Sequence, residues 1–308
     1  MSSSSMHKWN SDIGLNHFEK ILWMILNWII NNWFPARIDS NLLIGDFNPI
    51  VTKDSWDLTY ETMTSPSRTL AKIFMLQLPW QEICTELGNI HILDIGCGSG
   101  NNGVRLQRWS GNMVSTYVGM DLKRHNNWKE VVGKLSNVSF VQTDVADVLS
   151  CLNAETNFAE TNFVFSQSAI EHFTDDVKLF QDIHAFVSQR SQPVIQVHLL
   201  PSSVGLRLYR WHGVRQYTPR SISILTKVFN DCSYARLYPL GGKRCNIAHI
   251  ALRGLQQMSN VDEGRTQILQ HEYADRVREA IVSDAAEVQV RPSFYALVIH
   301  SNWVRRIF

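Results

Sequence analysis

The stretch that decides the fold is His91-Ile92-Leu93-Asp94-Ile95-Gly96-Cys97-Gly98-Ser99-Gly100-Asn101. A short apolar run ends at an acidic residue, and a turn with glycine at every second position follows. Because glycine tolerates unusual backbone angles and adds no Cβ, such a turn lets the backbone approach a ligand closely. The pattern predicts a strand, a ligand-binding loop and a helix in succession.

The spacing of the glycines separates two classes of nucleotide-cofactor enzyme. The dinucleotide fingerprint is G-x-G-x-x-G, whose third glycine lets the helix pack closely on the strand. Asn101 occupies that third position here. The loop therefore disfavours the pyrophosphate of a nicotinamide cofactor, and Asp94 at the strand end suits a cationic or hydroxyl-bearing ligand.

Residues 93–100 resemble the first motif of class I S-adenosylmethionine (SAM) dependent methyltransferases. In that family the glycine loop wraps the methionine part of SAM. The resemblance implies that SAM is the cofactor. Its expected contacts in this stretch are Asp94, Gly96, Cys97, Gly98, Gly100 and Asn101.

The spacing after the loop agrees with the resemblance. The next apolar run, residues 116–120, ends at Asp121, and an acid about 20 residues beyond a glycine loop is placed to hold ribose hydroxyls. We expect the following Leu122 to contact the cofactor as well. In the resembled family, an acid and a backbone amide after the third strand read the adenine edge, which implies roles for Asp144 and Val145.

A fourth apolar run, residues 162–165, leads into Ser166, which we expect at the cofactor. The Glu171-His172 pair that follows is similar to the fourth motif of the family. In open α/β sheets, ligands bind beyond the carboxyl ends of the strands, so His172 and the strand-end His198 could face the substrate.

The alternation of strands and helical stretches from residue 90 to residue 199 predicts a parallel sheet with right-handed crossovers. Residues 293–300 have the alternating, aromatic and β-branched character of an edge strand. The predicted fold class is a Rossmann-like α/β methyltransferase sheet of seven strands, the last antiparallel, flanked by helices. Thr218-Pro219 and Pro66 predict helix N-termini, and residues 261–286 have a helical pattern.

Two regions are predicted. Residues 1–88 hold a tail, an apolar helix and a helical lid, and residues 89–308 hold the SAM-binding domain with a helical insertion at about 241–290. In the lid, Arg68 could meet the carboxylate of SAM, or it is a solvated surface arginine. The further residues that we expect to face the substrate are Tyr60, His212, Tyr217 and His249.

Methyl transfer from SAM is an in-line displacement, so the protein mainly supplies alignment. A hydroxyl acceptor also requires removal of its proton by a general base. Histidine titrates near neutral pH, which makes His172 and His198 candidates, with Glu171 beside the first. The alternatives are that His172 positions its loop and that His198 is an enclosed strand-end residue.

The sequence limits which kinds of acceptor atom we expect to be methylated. Ser166-Gln167-Ser168 stands where enzymes that methylate exocyclic nitrogens carry an Asn/Asp-Pro-Pro-aromatic loop, and no acidic cluster of a metal-dependent type is evident. The predicted activity is O-methylation of a small molecule or a sugar/glycan intermediate in biosynthesis, with no metal. N- or C-methylation of a small metabolite, or a non-catalytic scaffold with this fold, remain as alternatives.

Composition limits the partners. The chain of 308 residues has a net charge of +1, so nothing suggests nucleic acid, whose binding relies on clustered Lys and Arg. Its five cysteines are scattered and lack a zinc-type Cys/His spacing, which favours reduced thiols and a cytoplasmic location.

The apolar segment at residues 18–34 contains three tryptophans but is interrupted by Asn27 and by Asn31-Asn32. It falls short of the roughly 20 apolar residues that a spanning helix needs. Three interpretations stay open: a helix packed on the domain, a dimer contact, or a peripheral membrane contact with tryptophans at headgroup depth.

Overall fold

The computed structural model describes residues 16–33, 37, 40–143, 148, 156–173, 175–207, 215–258, 263–287 and 291–308. The α-helices in these ranges are α1 (His17–Trp33), α2 (Lys53–Thr59), α3 (Pro66–Leu76), α4 (Trp80–Leu87), α5 (Asn101–Trp109), α6 (Asn127–Lys134), α7 (Thr156–Ala159), α8 (Asp176–Ser188), α9 (Pro219–Thr226), α10 (Lys243–Met258) and α11 (Glu263–Ala285). Short 3₁₀ turns span Ile170–His172, Ser203–Arg207 and Lys227–Phe229.

The strands form one sheet. They are β1 (Leu42–Ile44), β2 (Ile90–Ile95), β3 (Val114–Asp121), β4 (Val138–Gln142), β5 (Phe163–Gln167), β6 (Val194–Pro201), β7 (Ser233–Leu240) and β8 (Phe294–Ser301). Their order is β1-β7-β8-β6-β5-β2-β3-β4. The β2–β3, β3–β4, β2–β5 and β5–β6 pairs are parallel.

The last strand, β8, runs antiparallel to β7. The backbone N–H of Ser293 bonds to the carbonyl of Leu240 at one end of the pair, and that of Asn302 bonds to the carbonyl of Cys232 at the other. The predicted Rossmann-like sheet with a late antiparallel strand is confirmed. The prediction that this last strand lies at an edge is wrong, because β8 lies between β7 and β6 and is buried along its whole length. The predicted count of seven strands is wrong by one, because the short β1 extends the sheet beyond β7.

The buried strands explain why the sheet forms. Every residue of β8 is buried, as is every residue of β6 except Pro201. Strands that are covered on both faces have near-continuous apolar sequences, as these two have. The polar exceptions inside them, such as His198 and His300, are therefore expected to be hydrogen-bonded within the core.

The helix N-termini follow local sequence. The Thr218 side chain accepts a hydrogen bond from the backbone N–H of Ser221, and the Ser221 hydroxyl caps Thr218 in return, ahead of Pro219. Ser65 caps α3 in front of Pro66. Both predicted N-termini are confirmed, since each combines a hydroxyl cap with proline at the first helical position.

The chain divides into two compact units. The first contains the described residues of 1–43, together with 79–237 and 297–308, and the second contains 44–78 and 238–296. This division differs from the predicted boundary at residue 88. Within the second unit, the Phe74 ring lies 5.0 Å from that of Phe47 and 5.3 Å from that of Tyr238.

The helical insertion contains two helices, α10 and α11. The sequence pattern predicted only the second of them. The N-terminus of α10 is capped by Asp284 of α11, whose buried carboxylate accepts hydrogen bonds from the backbone N–H groups of Gly242, Arg244 and Cys245 at 2.7–3.1 Å.

Among the helix α1 side chains that the structure describes, Trp23 is buried, whereas an exposed apolar stripe follows helical spacing. The stripe consists of Phe18, Ile21, Ile25 and Trp28. No helix in the described part of the chain combines the length and apolar character needed to cross a bilayer.

Candidate active site

A cavity of about 600 Å³ lies at the carboxyl ends of β2, β3 and β5 in the first unit. Three groups of residues line it. The glycine loop and the segment after β3 contribute Gly96, Gly98, Asp121, Leu122, Lys123 and His125; the turn after β5 contributes Ser168, Ala169, His172 and Phe173; the start of α8 contributes Asp175, Lys178, Leu179 and Asp182. This position agrees with the rule that ligands bind beyond the strand ends in α/β sheets.

Two glycines of the loop give the cavity its floor. Gly98 has a φ of +54°, and no atom lies within 4 Å of the place where a Cβ would stand. Gly96 has a φ of +74°, and its Cβ would stand 2.5 Å from the Cβ of Ala169. Glycine is favoured at both because both φ angles are positive. Gly96 in addition has no room for a side chain, whereas the space above Gly98 is open to a ligand.

The other predicted loop contacts have a packing role. A Cβ on Gly100 would lie 2.4 Å from the Phe140 ring. The Cys97 thiol is buried against Gly119, and burial raises the pKa of that thiol, with the nearby Asp94 and Asp121 acting in the same direction. Neither Gly100 nor Cys97 lines the cavity.

Asn101 stands at the start of α5 and is exposed. Its side-chain oxygen accepts a hydrogen bond from the Asn127 amide at 2.9 Å. The same amide also donates to the carbonyl of Ser99, so the Asn127 side chain fastens the glycine loop to α6.

Asp94 is fully buried at the end of β2. Its Oδ2 accepts a hydrogen bond from the Tyr117 hydroxyl at 2.5 Å and another from the Asn102 amide at 3.4 Å. Its Oδ1 has no hydrogen-bond partner among the described residues. Burial raises the pKa of Asp94 to about 7. Asp94 does not itself line the cavity. A buried acceptor left free in this way fits a cationic group, such as the ammonium of SAM, that reaches it from the cavity.

Asp121 ends β3 and is oriented by the backbone. Its Oδ2 accepts from the N–H of Gly98 at 2.9 Å, and its Oδ1 accepts from the N–H of Lys123 at 3.0 Å. Each oxygen keeps a further lone pair, so the carboxylate can also accept from ribose hydroxyls. Leu122 beside it is 57% exposed and lines the cavity, where it offers an apolar wall to a base.

The expected roles of Ser166 and His198 do not fit their surroundings. Both are fully buried, and neither lines the cavity. The Ser166 hydroxyl bonds to Nδ1 of His198 at 2.9 Å, and Nε2 of His198 bonds to the Gln196 side-chain oxygen at 3.2 Å. Burial lowers the pKa of His198 to about 3, so this ring stays neutral and serves the core of the sheet.

Glu171 and His172 lie in the same 3₁₀ turn but in different surroundings. His172 lines the cavity, and its backbone N–H donates to the carbonyl of Ala169 at 2.9 Å. Glu171 is buried and does not line the cavity. Of the three predicted catalytic residues, His172 lines the cavity that the glycine loop also lines, and Glu171 and His198 do not.

Tyr217, expected at the substrate, is fully buried in the first unit. Its hydroxyl donates to Oδ2 of Asp176 at 3.1 Å, and Arg215 pairs with the other oxygen at 2.8 Å. Tyr217 and Arg215 thus belong to a buried cluster that holds Asp176 at the start of α8. A substrate-facing role for Tyr217 does not fit this position.

The other expected substrate residues lie in the second unit or outside the described residues. Arg68 is exposed, and Tyr60 stacks on Trp56 with ring centroids 4.5 Å apart. His249 is 4% exposed on α10, which does not fit a substrate contact. Asp144, Val145 and His212 lie outside the described residues.

Sequence reasoning missed several residues of the cavity wall. Ser168 has a φ of +49°, an uncommon value for serine, which turns the chain after β5 towards the cavity. His125 lines the cavity with Nε2 3.8 Å from Oδ1 of Asp121. Their positions in the sequence could have identified them, because both residues follow the end of a predicted strand, where ligands bind in α/β sheets.

Comparison with known proteins agrees with this geometry. Residues 93–192 match the family model described as a methyltransferase domain. No curated protein matches the chain. Residues 93–192, about a third of the chain, therefore form a methyltransferase domain, which supports a methyltransferase enzyme.

Solved structures of small-molecule methyltransferases are similar to the chain. One is a putative sarcosine dimethylglycine methyltransferase from Galdieria sulphuraria (12% identity, 80% of this chain and 93% of that one, TM-score 0.48). Another is a 1,6-didemethyltoxoflavin-N1-methyltransferase from Burkholderia thailandensis (13%, 74% and 78%, 0.40). A third is a coclaurine N-methyltransferase (14%, 93% and 88%, 0.45).

Proposed function

We propose that the protein transfers the methyl group of SAM to an oxygen atom of a small molecule or sugar/glycan intermediate, with His172 as the general base. The observation that carries the proposal is that Gly98 and Asp121, which we assign to the cofactor, line the same cavity as His172. Its volume of about 600 Å³ is of the size that small-molecule sites have, about 300–1,000 Å³.

Different residues would hold the donor and deprotonate the acceptor. SAM would supply an activated methyl group on its positively charged sulfur and would leave as S-adenosylhomocysteine when the S–CH3 bond breaks. Asp94 would neutralise its ammonium, Asp121 would hold its ribose, and the backbone at Gly98 would let it lie close to the strand ends. His172 would accept the hydroxyl proton of the acceptor as the O–CH3 bond replaces the S–CH3 bond, which alignment alone does not provide.

The charges on the cavity wall favour a neutral acceptor over a cationic amine. Lys123 and Lys178 both line the cavity, where they offset its carboxylates. Asp182 accepts a hydrogen bond from Nζ of Lys178 at 2.5 Å, and Asp175 accepts one from the backbone N–H of Lys178 at 2.9 Å. The two ammonium groups oppose the entry of a cationic amine, whereas a neutral hydroxyl meets no such opposition.

The test is a screen of hydroxyl and amine acceptors with methyl-labelled SAM, followed by assignment of the methylated atom by mass spectrometry and NMR. We expect a methyl ether or ester as the product. His172→Gln should then lower turnover by about 10²–10⁴-fold while S-adenosylhomocysteine binding stays unchanged. His271→Gln, at an exposed position on α11, is the control. Methylation of nitrogen or carbon, or full turnover by His172→Gln, would contradict the proposal.

A further inference from the structure

Three side chains of metal-ligating type meet away from the cavity, in the first unit. His184 lies on α8, and Asp231 and Cys232 lie on the segment that leads into β7. One nitrogen, one carboxylate oxygen and the thiol sulfur of this group all lie within 4.8 Å of one another. We infer that His184, Asp231 and Cys232 form a binding site for a divalent transition-metal ion of the zinc type.

The distances need only small side-chain movements to close on an ion. Nε2 of His184 lies 3.0 Å from both carboxylate oxygens of Asp231. Metal–ligand bonds of about 2.0–2.3 Å in a tetrahedral site place the ligand atoms roughly 3.3–3.8 Å apart. The imidazole and carboxylate must separate slightly, and the thiol sulfur lies within 4.8 Å of both ligand atoms, so χ rotations can bring the three to bonding distance.

The donor types decide which ion fits. A nitrogen, an oxygen and a sulfur form a mixed set that suits Zn²⁺ and similar borderline ions, whereas Ca²⁺ and Mg²⁺ take oxygen ligands. The Asp231 side chain is 62% exposed, so the site faces solvent and a water can complete four-coordination.

The backbone around the site is fixed by contacts that do not involve the ligand atoms. The N–H of Cys232 donates to the carbonyl of Phe229, and the carbonyl of Cys232 accepts from the N–H of Asn302. The Phe229 ring packs edge-on against the His184 ring, with centroids 5.5 Å apart. A bound ion would therefore join α8 to the start of β7 with little rearrangement, and it would stabilise the native fold.

Sequence spacing could not reveal this site, because His184 and Asp231 are 47 positions apart. The competing interpretation is a surface cluster that binds no metal, in which Asp231 pairs with His184 and hydrogen-bonds to the Cys232 side chain, whose sulfur also lies 3.3 Å from the Ser233 hydroxyl. The two interpretations differ in the effect of Cys232→Ser, since serine keeps a hydrogen-bonding hydroxyl and loses the thiolate that a zinc-type ion prefers.

The test is calorimetric titration of the chelator-treated full chain with ZnCl₂ and, separately, with MgCl₂. We expect one Zn²⁺ per chain with micromolar affinity, no Mg²⁺ binding at the same concentrations, and a melting temperature raised by Zn²⁺. Cys232→Ser should weaken Zn²⁺ binding at least about tenfold and abolish the thiolate-to-metal absorption band of the Co²⁺ form. The control is Cys84→Ser, whose thiol lies near the carbonyl of Gly88.

Absence of stoichiometric Zn²⁺ binding would overturn the inference. Unchanged binding in both Cys232→Ser and Asp231→Asn would overturn it as well, because the ion would then lie elsewhere. Methyl transfer is not the readout, so the outcome is independent of the proposed acceptor.

Discussion

Replacing Tyr117 by phenylalanine removes one hydroxyl from the buried carboxylate that we assign to the cofactor ammonium. The Tyr117 hydroxyl donates to Oδ2 of Asp94 at 2.5 Å and lowers the pKa of Asp94, against the larger effect of burial, which raises it to about 7. Without this donor the carboxylate is harder to ionise. The cation of the cofactor binds the ionised form, so affinity should rise with pH through the pKa of Asp94.

The magnitude follows from the strength of the lost bond. A hydrogen bond to a charged group contributes about 1.5–3 kcal/mol, which moves the pKa of Asp94 from about 7 to about 8–9. At pH 7.5 the ionised fraction then falls from about three quarters to between roughly a quarter and a thirtieth, so affinity should fall about 3- to 25-fold. By pH 9 the deficit should shrink to about twofold or less.

The assay is calorimetric binding of S-adenosylhomocysteine at pH 6.5, 7.5 and 9, expressed as the ratio of Kd between variant and wild type. The ratio removes the titration of the ligand's own amino group. Tyr295→Phe, at another buried tyrosine, is the matched control and should give a ratio near one throughout. A Tyr117→Phe ratio that is constant with pH, or equal to one, would refute the role assigned to Asp94.

Two further predictions concern the glycine loop and the insertion. Gly96→Ala should lower the unfolding free energy by about 2–5 kcal/mol, because the new methyl group clashes with Ala169 and the positive φ disfavours alanine. Gly98→Ala should lower it by only about 1–2 kcal/mol, because no atom lies near the new methyl group. The main effect of Gly98→Ala should be weaker SAM binding. Chemical denaturation and calorimetry separate the two effects, and equal stability losses would show that the space above Gly98 is not open. Asp284→Asn should cost about 2–3 kcal/mol, since its carboxylate accepts three backbone N–H groups at the N-terminus of α10, and denaturation that leaves stability unchanged would disprove this capping role.

Features with a local physical cause could be predicted from the sequence. The strand ending at Asp94, the open glycine at position 98 and the acid at position 121 follow from apolar runs and from spacing. The helix starts at Pro66 and Pro219 follow from their hydroxyl caps.

Features set by long-range packing could not be predicted. Whether His198 faced the cavity or the core depended on Ser166 and Gln196, which fill the space around its ring. The division into units depended on residues 44–78 packing with residues 238–296, which no local pattern encodes. Helix α10 was missed because its start is capped by Asp284, some 40 residues away.

The most direct test of the central claim is a crystal structure with S-adenosylhomocysteine bound. We predict the ligand in the cavity, with its ammonium at Oδ1 of Asp94, its ribose hydroxyls on Asp121 and its sulfur directed towards His172. A ligand bound elsewhere, or bound with its ammonium away from Asp94, would contradict the account.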